Sequence, residues 1–307
     1  MFDVFFNAVL PIFVVVAIGF AFARNGSMDM SVATGLNRFM FYFAVPILLF
    51  RLVSRVQVDQ FEWLFLLAYF IAELTIYVAG YAIARKVFRR KKDEALLLGM
   101  AVCFSNHVFF VLPISSALFG EAATLPVVAI ISLDAVVLFA GTILILETAK
   151  NKQDGKSLFS LLPLIAKNPQ ILAIATGVLF NFFDPARSVG FDLFTKFVGD
   201  AAAPCALFAL GIILAQQRSQ DGLTLPLVFA GLKLVAMPAI AWVLIANLVQ
   251  MDSSWTAPTL LVAAGPAGAM PFVFALQYKI PVSDIAMTIL LSTLGSLITV
   301  TLVGQMF

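Results

Sequence analysis

Residues 95–119 read ALLLGMAVCFSNHVFFVLPISSALF and carry three consecutive polar side chains in the middle of an otherwise apolar run. These are Ser105, Asn106 and His107, which precede Pro113 by six to eight positions. The run can cross a bilayer as a helix, which takes about 20 residues. A proline inside a helix frees backbone groups, and at membrane depth these are tolerated only where they line a cavity or bind something polar. The stretch therefore predicts a membrane helix that is broken near its middle.

The composition of the whole chain is that of a membrane protein. Of its 307 residues, 62% are hydrophobic and 12% are charged, and the mean hydropathy is +1.03. Soluble proteins are about half apolar and a quarter charged, so this composition excludes a soluble globular enzyme. At about 20 residues for each crossing, the chain fits about ten helices joined by short loops. A net charge of +2 provides no basic surface for nucleic acid.

Motifs of catalysis and cofactor binding are missing from the sequence. It has no Walker loop, dinucleotide-binding glycine fingerprint, metal-ligand cluster or nucleophile elbow. We therefore expect no enzyme, no cofactor, no metal and no transport driven by ATP hydrolysis on this chain. Cys103 and Cys205 lie in apolar runs without the spacing of a metal site or a disulfide framework, which predicts core thiols.

Ten apolar segments can be marked, and each is interpreted as a transmembrane helix. The first has no Lys or Arg before Arg24, unlike a cleaved signal peptide, which starts with basic residues. In the sixth, Asn168 and Pro169 resemble an N-cap and a helix-starting proline, so residues 158–166 are expected to form a separate interfacial segment. The segments are 4–23, 32–51, 61–84, 95–119, 124–147, 158–183, 191–215, 223–248, 255–278 and 283–305.

Basic residues fall mostly on one side of this topology. With ten crossings, 15 of the 19 Lys and Arg residues share one face, and only Arg51, Arg55, Arg187 and Lys196 lie on the other. Cytoplasmic loops are enriched in positive residues. The distribution therefore predicts a membrane protein with both termini outside the cytoplasm. The basic run 85–92 is interpreted as a topology signal in contact with lipid headgroups.

An internal repeat appears at an offset of 158 residues. Each copy has five predicted crossings, an odd number, so the second copy enters the membrane from the opposite face. The sequence therefore predicts two inverted repeats, residues 1–150 and 151–307, as is typical of secondary transporters with a central site. Matching pairs include Pro11 and Pro169, Pro46 and Pro204, Pro113 and Pro271, Gly19 and Gly177, Phe22 and Phe180, and Phe50 and Phe208.

The second repeat has a break of its own at residues 263–271, AAGPAGAMP. If both breaks lie near the midplane and cross, the N-termini of the half-helices that follow present positive dipole ends to an anionic substrate. A neutral amide such as Asn106 binds a carboxylate at less desolvation cost than a buried charge. Proline kinks without a ligand are the alternative. The predicted substrate-binding residues are Ser105, Asn106, His107, Pro113, Gly265, Pro266 and Pro271.

Four ionisable residues lie deep inside apolar segments, where charge is costly and often marks a transport path. They are Glu73, His107, Asp134 and Lys233. The two carboxyl groups are candidate proton or cation sites, and a structural ion pair of Lys233 with either acid is an equal alternative. His107 is a donor to a carboxylate, a pH-responsive group or only a packing residue.

Five ordered motifs resemble those of the auxin efflux carrier family, which includes plant PIN-type carriers and bacterial malonate or malate permeases. The resemblance covers essentially the whole chain. The motifs are residues 37–50 (NRFMFYFAVPILLF), Ser105-Asn106 followed by Leu112-Pro113, Lys167-Asn168-Pro169, Ala202-Ala203-Pro204 with Leu210-Gly211, and Leu291-Ser292-Thr293.

The resemblance implies an all-α polytopic membrane protein of ten helices in two inverted five-helix repeats, with helices 4 and 9 broken and crossing at their prolines. It further implies a scaffold of helices 1, 2, 6 and 7, a mobile transport domain of helices 3–5 and 8–10, elevator-like movement and a homodimer through the scaffold. Asn106 and Pro113 fall on the first crossover, and Pro266 or Pro271 falls on the second. Residues 107–110 depart from the commoner small or polar residues after the asparagine.

The leading interpretation is a secondary carrier for a small organic anion, a mono- or dicarboxylate, in a bacterial-type inner membrane. Glu73 and Asp134 are candidates for proton or sodium coupling or for stabilising the mobile domain. A sodium-coupled carrier of the related bile-acid type is a close alternative, which would favour several buried carboxylates and amides at the crossover. The alternative from another class is a non-transporting membrane sensor or partner subunit, which is expected to carry an output domain or an extended tail.

Overall fold

The computed structural model describes residues 10–55, 58–153, 167–183, 188–216, 222–249 and 253–307. Within these ranges the chain is helical with short connectors, and the one extended pairing is an isolated bridge between Ser105 and Ala267. The all-α prediction is thus confirmed for the described ranges. Their helices are α1 (Leu10–Arg24), α2 (Met30–Val53), α3 (Trp63–Lys86), α4 (Lys92–Cys103), α5 (Leu112–Phe119), α6 (Thr124–Thr148, continuing helically to Gln153), α7 (Pro169–Phe183), α8 (Val189–Gln216), α9 (Thr224–Leu248), α10 (Ser253–Ala264), α11 (Met270–Gln277) and α12 (Ser283–Met306).

Six of these helices, α2, α3, α6, α8, α9 and α12, are long and apolar enough to cross a membrane. Two more, α1 and α7, are shorter and apolar. The remaining four form two divided segments: α4 and α5 are parted by a break at residues 104–106, and α10 and α11 by a break at residues 265–269. Each of the ten predicted apolar segments contains at least one helix.

In the described ranges, widened π turns interrupt four helical stretches, and three of these turns end two residues before a proline. Proline lacks an N–H, and its ring clashes with the carbonyl four residues earlier, so a regular α-helical turn cannot precede it without strain. A wider turn accommodates this clash. The turns are Met40–Ala44 before Pro46, His107–Val111 before Pro113, Leu232–Ala236 before Pro238, and Asp134–Phe139, which no proline follows directly.

Close helix packing joins the two halves of the chain. α1 packs on α8, and α7 packs on α2. A Cβ atom at Gly19 would lie 2.3 Å from the carbonyl oxygen of Phe208, and one at Gly177 would lie 3.1 Å from the carbonyl oxygen of Phe50. Glycine at these two positions therefore lets the helix backbones approach closely, as is common between membrane helices.

The basic run 85–92 requires a correction at Arg90. This side chain is buried, and its guanidinium pairs with Asp284 at the start of α12 and with Glu94 of α4, whose Oε1 lies 3.3 Å from Arg90 Nε. Arg85 donates a hydrogen bond to the backbone carbonyl of Arg90. Arg90 is therefore a structural link between α4 and α12 rather than a headgroup contact.

Two local predictions can be compared with the structure. Asn168 caps α7 as predicted, because its Oδ1 accepts hydrogen bonds from the backbone N–H groups of Gln170 at 3.0 Å and Ile171 at 3.4 Å. Both cysteines are free thiols. Cys103 is buried, whereas Cys205 is only partly buried, so the prediction of a core thiol is right for Cys103 alone.

Some sequence predictions fall outside the described residues. These include the interfacial segment 158–166 and the loop residues Lys156, Arg187 and Arg218. The first part of the first predicted segment is also outside them, so the description of α1 begins at Leu10. For these stretches the sequence analysis stays a prediction.

Candidate functional site

The breaks of the two divided segments meet and pair through their backbones. The N–H of Asn106 donates to the carbonyl of Pro266 at 2.8 Å, and the N–H of Gly268 donates to the carbonyl of Phe104 at 3.0 Å. Backbone groups freed at the two breaks thereby satisfy each other in an apolar surrounding, where an unpaired group would be costly. We call this pair of breaks, residues 104–106 and 265–269, the crossover.

Position 268 has no room for a side chain. A Cβ atom there would lie 2.2 Å from the ring of Phe104 and 2.8 Å from the carbonyl oxygen of Ser105. The Phe104 ring itself packs against the rings of His107 and Phe139, with centroid distances of 5.1 and 4.9 Å. Phe104 therefore cannot move away easily, and Gly268 is what allows the two breaks to cross.

A cavity of about 80 Å³ lies beside the crossover. One water needs about 10–15 Å³ of such space, so the cavity has room for a small organic molecule. None of its lining residues among the described ones is Lys, Arg, Asp or Glu. The crossover provides the polar side of the lining, and the opposite wall is apolar and consists mainly of Met40, Val45, Leu48, Leu49 and Leu52 of α2 and Ala202, Ala203, Ala206 and Leu207 of α8.

The polar side of the cavity combines a free amide with two helix starts. Asn106 lines the cavity, and its side-chain amide makes no hydrogen bond with a described residue. The helical stretch that leads into α5 begins at His107, α11 begins at Met270, and both of these residues also line the cavity. The first N–H groups of a helix lack helical partners and carry the positive end of its dipole. The cavity is therefore suited to an anionic group.

Lys233 reaches the crossover from α9. Its ammonium group is buried and donates hydrogen bonds to Ser105 Oγ at 2.7 Å and to the carbonyl of Ala263 at 2.9 Å. No described carboxyl oxygen lies within ion-pair distance of it. The ion pair of Lys233 with Glu73 or Asp134, which the sequence left open, is therefore not formed.

Three ionisable side chains cluster behind the crossover. His107 Nε2 lies 3.1 Å from Asp134 Oδ2, without the alignment of a regular hydrogen bond. The carboxyl groups of Asp134 and Glu73 are neighbours, and none of their four oxygen atoms forms a regular hydrogen bond with a described residue. All three side chains are at most 3% exposed. Because His107 also lines the cavity, it connects the cavity with the two buried acids.

The ten singled-out residues take different positions in the structure. Pro266 contributes a backbone carbonyl to the pairing, and Gly265 lies beside it. Pro271 is buried in the first turn of α11, and Pro113 lies in the first turn of α5, its side chain outside the described part of the structure. Of the predicted substrate-binding residues, those that line the cavity are Ser105, Asn106 and His107.

Sequence reasoning missed the wall that faces the crossover. Ala202, Ala203 and Ala206 of α8 line the cavity, as does Leu49 of α2. The signal that could have found the α8 part is the run of small residues at helical spacing, which leaves space beside a helix. Gly268 was also missed, because two glycines flank Pro266 and Ala267 and nothing in the sequence tells which one meets a neighbouring ring.

Comparison with known proteins agrees with a membrane carrier. A Rhizobium meliloti (strain 1021) protein named "Putative malonate transporter" is 28% identical over 301 residues, which cover 95% of this chain and 92% of that protein. An uncharacterized transporter of Methanocaldococcus jannaschii is 23% identical, with 97% of each chain covered. The uncharacterized transporter YfdV of Escherichia coli (strain K12) is 22% identical over 97% of this chain and 96% of its own length.

A family model completes these comparisons. The model described as "Membrane transport protein" matches residues 4–303, which is nearly the whole chain. The motifs quoted from the sequence and the apolar helices of the structure lie within this range. The chain therefore belongs to this family of membrane transport proteins, the auxin efflux carrier family.

Proposed function

We propose that the chain carries a small organic anion, a mono- or dicarboxylate, bound in the cavity beside the crossover. The observation that carries this proposal is the meeting of two half-helix starts and the free amide of Asn106 at one small cavity. Helix N-termini favour negative charge, and an amide donates to a carboxylate without burying a second charge. The printed name of the Rhizobium meliloti relative supports a malonate-like substrate.

The size and lining of the cavity favour a small substrate that is released again. A volume of about 80 Å³ suits a short carbon chain, and the apolar wall of α2 and α8 offers contact to its methylene groups. A Lys or Arg in the cavity would hold a carboxylate by a strong, charge-assisted hydrogen bond. Helix dipoles and a neutral amide bind less firmly, which suits a carrier that must let its substrate go.

We infer ten crossings in two inverted repeats, with both termini outside the cytoplasm. Support for the repeats comes from contacts between the two halves that occur in corresponding pairs: each partner is replaced by the residue 158 positions away in the other half. The contact of Gly19 with Phe208 becomes the contact of Gly177 with Phe50. Ring contacts follow the same rule: Phe22 with Phe208 at a centroid distance of 6.3 Å, and Phe180 with Phe50 at 5.3 Å.

The crossover supports the same symmetry with a changed offset. With an offset of 162, Asn106 corresponds to Gly268 and Phe104 corresponds to Pro266. The hydrogen bond from Asn106 to Pro266 then corresponds to the one from Gly268 to Phe104. The prolines that follow keep the offset of 158, so the first repeat has four additional residues between its crossover and Pro113. This extra turn corresponds to the π turn that begins at His107.

Elevator-like movement is our proposal for the mechanism. Helices α1, α2, α7 and α8 form one group of helices in contact, and α3–α6 together with α9–α12 form the other. The first group is the proposed scaffold, through which a homodimer forms, and the second is the proposed transport domain. The cavity lies where α2 and α8 face the crossover, so sliding of one group along the other would carry a bound anion across the membrane.

We propose that protons drive the movement through Glu73 and Asp134. Two carboxyl groups side by side in a low-dielectric site do not both keep a negative charge readily, so a proton shared between them is favourable. His107 lies between this pair and the cavity and would link proton binding to the anion. Sodium coupling of the bile-acid type is the second candidate, and the two buried carboxyl groups behind the crossover support it.

Uptake into proteoliposomes tests the proposed function. Labelled malonate and a panel of mono- and dicarboxylates are compared with malonamide, the neutral diamide of malonate, under an imposed proton or sodium gradient. We expect at least one carboxylate to enter faster than into protein-free liposomes, malonamide not to enter, and a proton gradient to accelerate uptake. If no anion moves, or if malonamide moves as fast as the anions, the proposed function is wrong.

A further inference from the structure

Lys233 lies where the crossover offers several oxygen atoms. It belongs to the π turn Leu232–Ala236 in the middle of α9, and its side chain is fully buried. Its ammonium donates to Ser105 Oγ and to the carbonyl of Ala263. Ser105 Oγ in turn donates to the carbonyl of Val262 at 2.6 Å. The ammonium is therefore bound by the first break and by the end of α10 together.

The end of α10 is a favourable place for a cation. The last carbonyls of a helix have no helical partner and carry the negative end of its dipole. The hydroxyl of Thr299 donates to the carbonyl of Ala264 at 2.7 Å, and Lys233 satisfies that of Ala263. In transporters with broken helices, half-helix C-termini and unwound carbonyls are the groups that coordinate a coupling cation.

Two acids complete the surroundings of the ammonium. Glu73 of α3 and Asp134 of α6 are buried nearby, and their charges act on Lys233 although neither forms an ion pair with it. Lys233 is the one lysine or arginine that the described residues bring to these acids. The other titratable groups that face the cluster are Tyr69 of α3, Cys103 at the end of α4, and His107.

We propose that Lys233 is a built-in cation that occupies a monovalent-cation site at the crossover, so that the carrier works without sodium. Hydroxyl and carbonyl oxygens, such as the two that the ammonium contacts, are ligands of hard cations. The tethered ammonium provides the single positive charge that a sodium ion would otherwise bring. Removal of the side chain leaves these oxygens and the space between them, which opens the site to sodium. The statement about transport rests on the proposed carrier function, whereas the statement about the site concerns binding alone.

Thermal unfolding of the purified protein tests this site, in sodium chloride against choline chloride of equal concentration. The unaltered protein is expected to have the same midpoint in both salts. For Lys233→Ala, the midpoint is expected to rise by roughly 3 °C for each tenfold increase in sodium above the dissociation constant. Lys233→Met is the matched control, since it removes the charge but fills the space, and it is expected not to respond to sodium.

Each outcome decides for or against the proposal. A rise specific to sodium in the unaltered protein overturns it, and so does a Lys233→Ala protein that is monodisperse but does not respond. If Lys233→Ala cannot be purified in choline chloride, recovery in sodium chloride supports the proposal, and failure in both salts contradicts it. The measurement needs no transported anion, so a failure of the proposed carrier function in liposomes leaves its result unaffected.

Discussion

Gly268 illustrates how one residue determines whether the crossover can form. Replacing it by alanine would place a Cβ atom 2.2 Å from the ring of Phe104, which His107 and Phe139 hold in position. Overpacking of this kind costs about 1–3 kcal/mol. We expect Gly268→Ala to lower the thermal midpoint of the purified protein and to reduce uptake.

The matched control for this change is Gly141→Ala, because no neighbouring atom lies within 4 Å of a Cβ built at Gly141. We expect Gly141→Ala to keep the midpoint and the uptake of the unaltered protein. Equal behaviour of the two variants in both measurements would show that the crossover does not require a glycine at position 268.

The residue contacts of the site were only partly predictable. Polar residues ahead of a proline are enough to place Ser105 and Asn106 in a break and His107 directly after it, because polar side chains are costly in an uninterrupted membrane helix. The partner of Lys233 was not predictable: Ser105 is 128 positions away, and the rotation of α9 about its axis decides which group the ammonium meets. That rotation follows from packing over the whole helix, to which a single residue contributes little.

At the scale of elements, the pairing of Arg90 with Asp284 and Glu94 links α4 to α12. Removing one partner of a buried ion pair leaves the other charges uncompensated, at a cost of about 3–5 kcal/mol. We therefore expect Arg90→Met to lower the thermal midpoint strongly. Lys86→Met is the control, because Lys86 lies exposed in the last turn of α3, and it is expected to change the midpoint little. Equal midpoints of the two variants would contradict a structural role of Arg90.

Element positions were more predictable than element shapes. Apolar length and proline position place a helix in every predicted segment and a break in the fourth and the ninth, because the bilayer restricts which backbone conformations are possible. The π turns before Pro46 and Pro238 were not anticipated. A proline requires only that the preceding turn adapts, and the neighbouring helices decide whether it kinks or widens.

For the whole molecule, the ten-crossing topology predicts which connectors share a face. In a variant whose Cys103 and Cys205 are replaced by alanine, single cysteines at Lys86 and Lys279 are expected to react from the cytoplasmic side with a membrane-impermeant maleimide. A cysteine at Asp59, in the exposed connector before α3, is expected to react only from outside. Labelling of the Lys86 and Asp59 positions from the same side would contradict the topology.

The proposed repeat shows a limit of sequence reasoning at this scale. An offset of 158 aligns the prolines of both halves, yet the hydrogen bonds of the crossover correspond at 162. An alignment on the prolines does not reveal the extra turn at residues 107–110. A turn inserted between a break and its proline changes neither the residues of the break nor the proline, which are the two sequence features that the alignment uses. The departure of these residues from the commoner family pattern is the one trace that this turn leaves in the sequence.

The central claim is that Asn106 binds the carboxylate of the transported anion, and the uptake of labelled malonate by Asn106 variants in proteoliposomes tests it most directly. Loss of one hydrogen bond predicts roughly tenfold weaker apparent affinity for Asn106→Ala, and Asn106→Asp is expected to lose more because its charge repels the substrate. Asn247→Asp, at an exposed amide of α9, is the control and is expected to keep normal uptake. Uptake by Asn106→Asp equal to that of the unaltered protein would contradict the account.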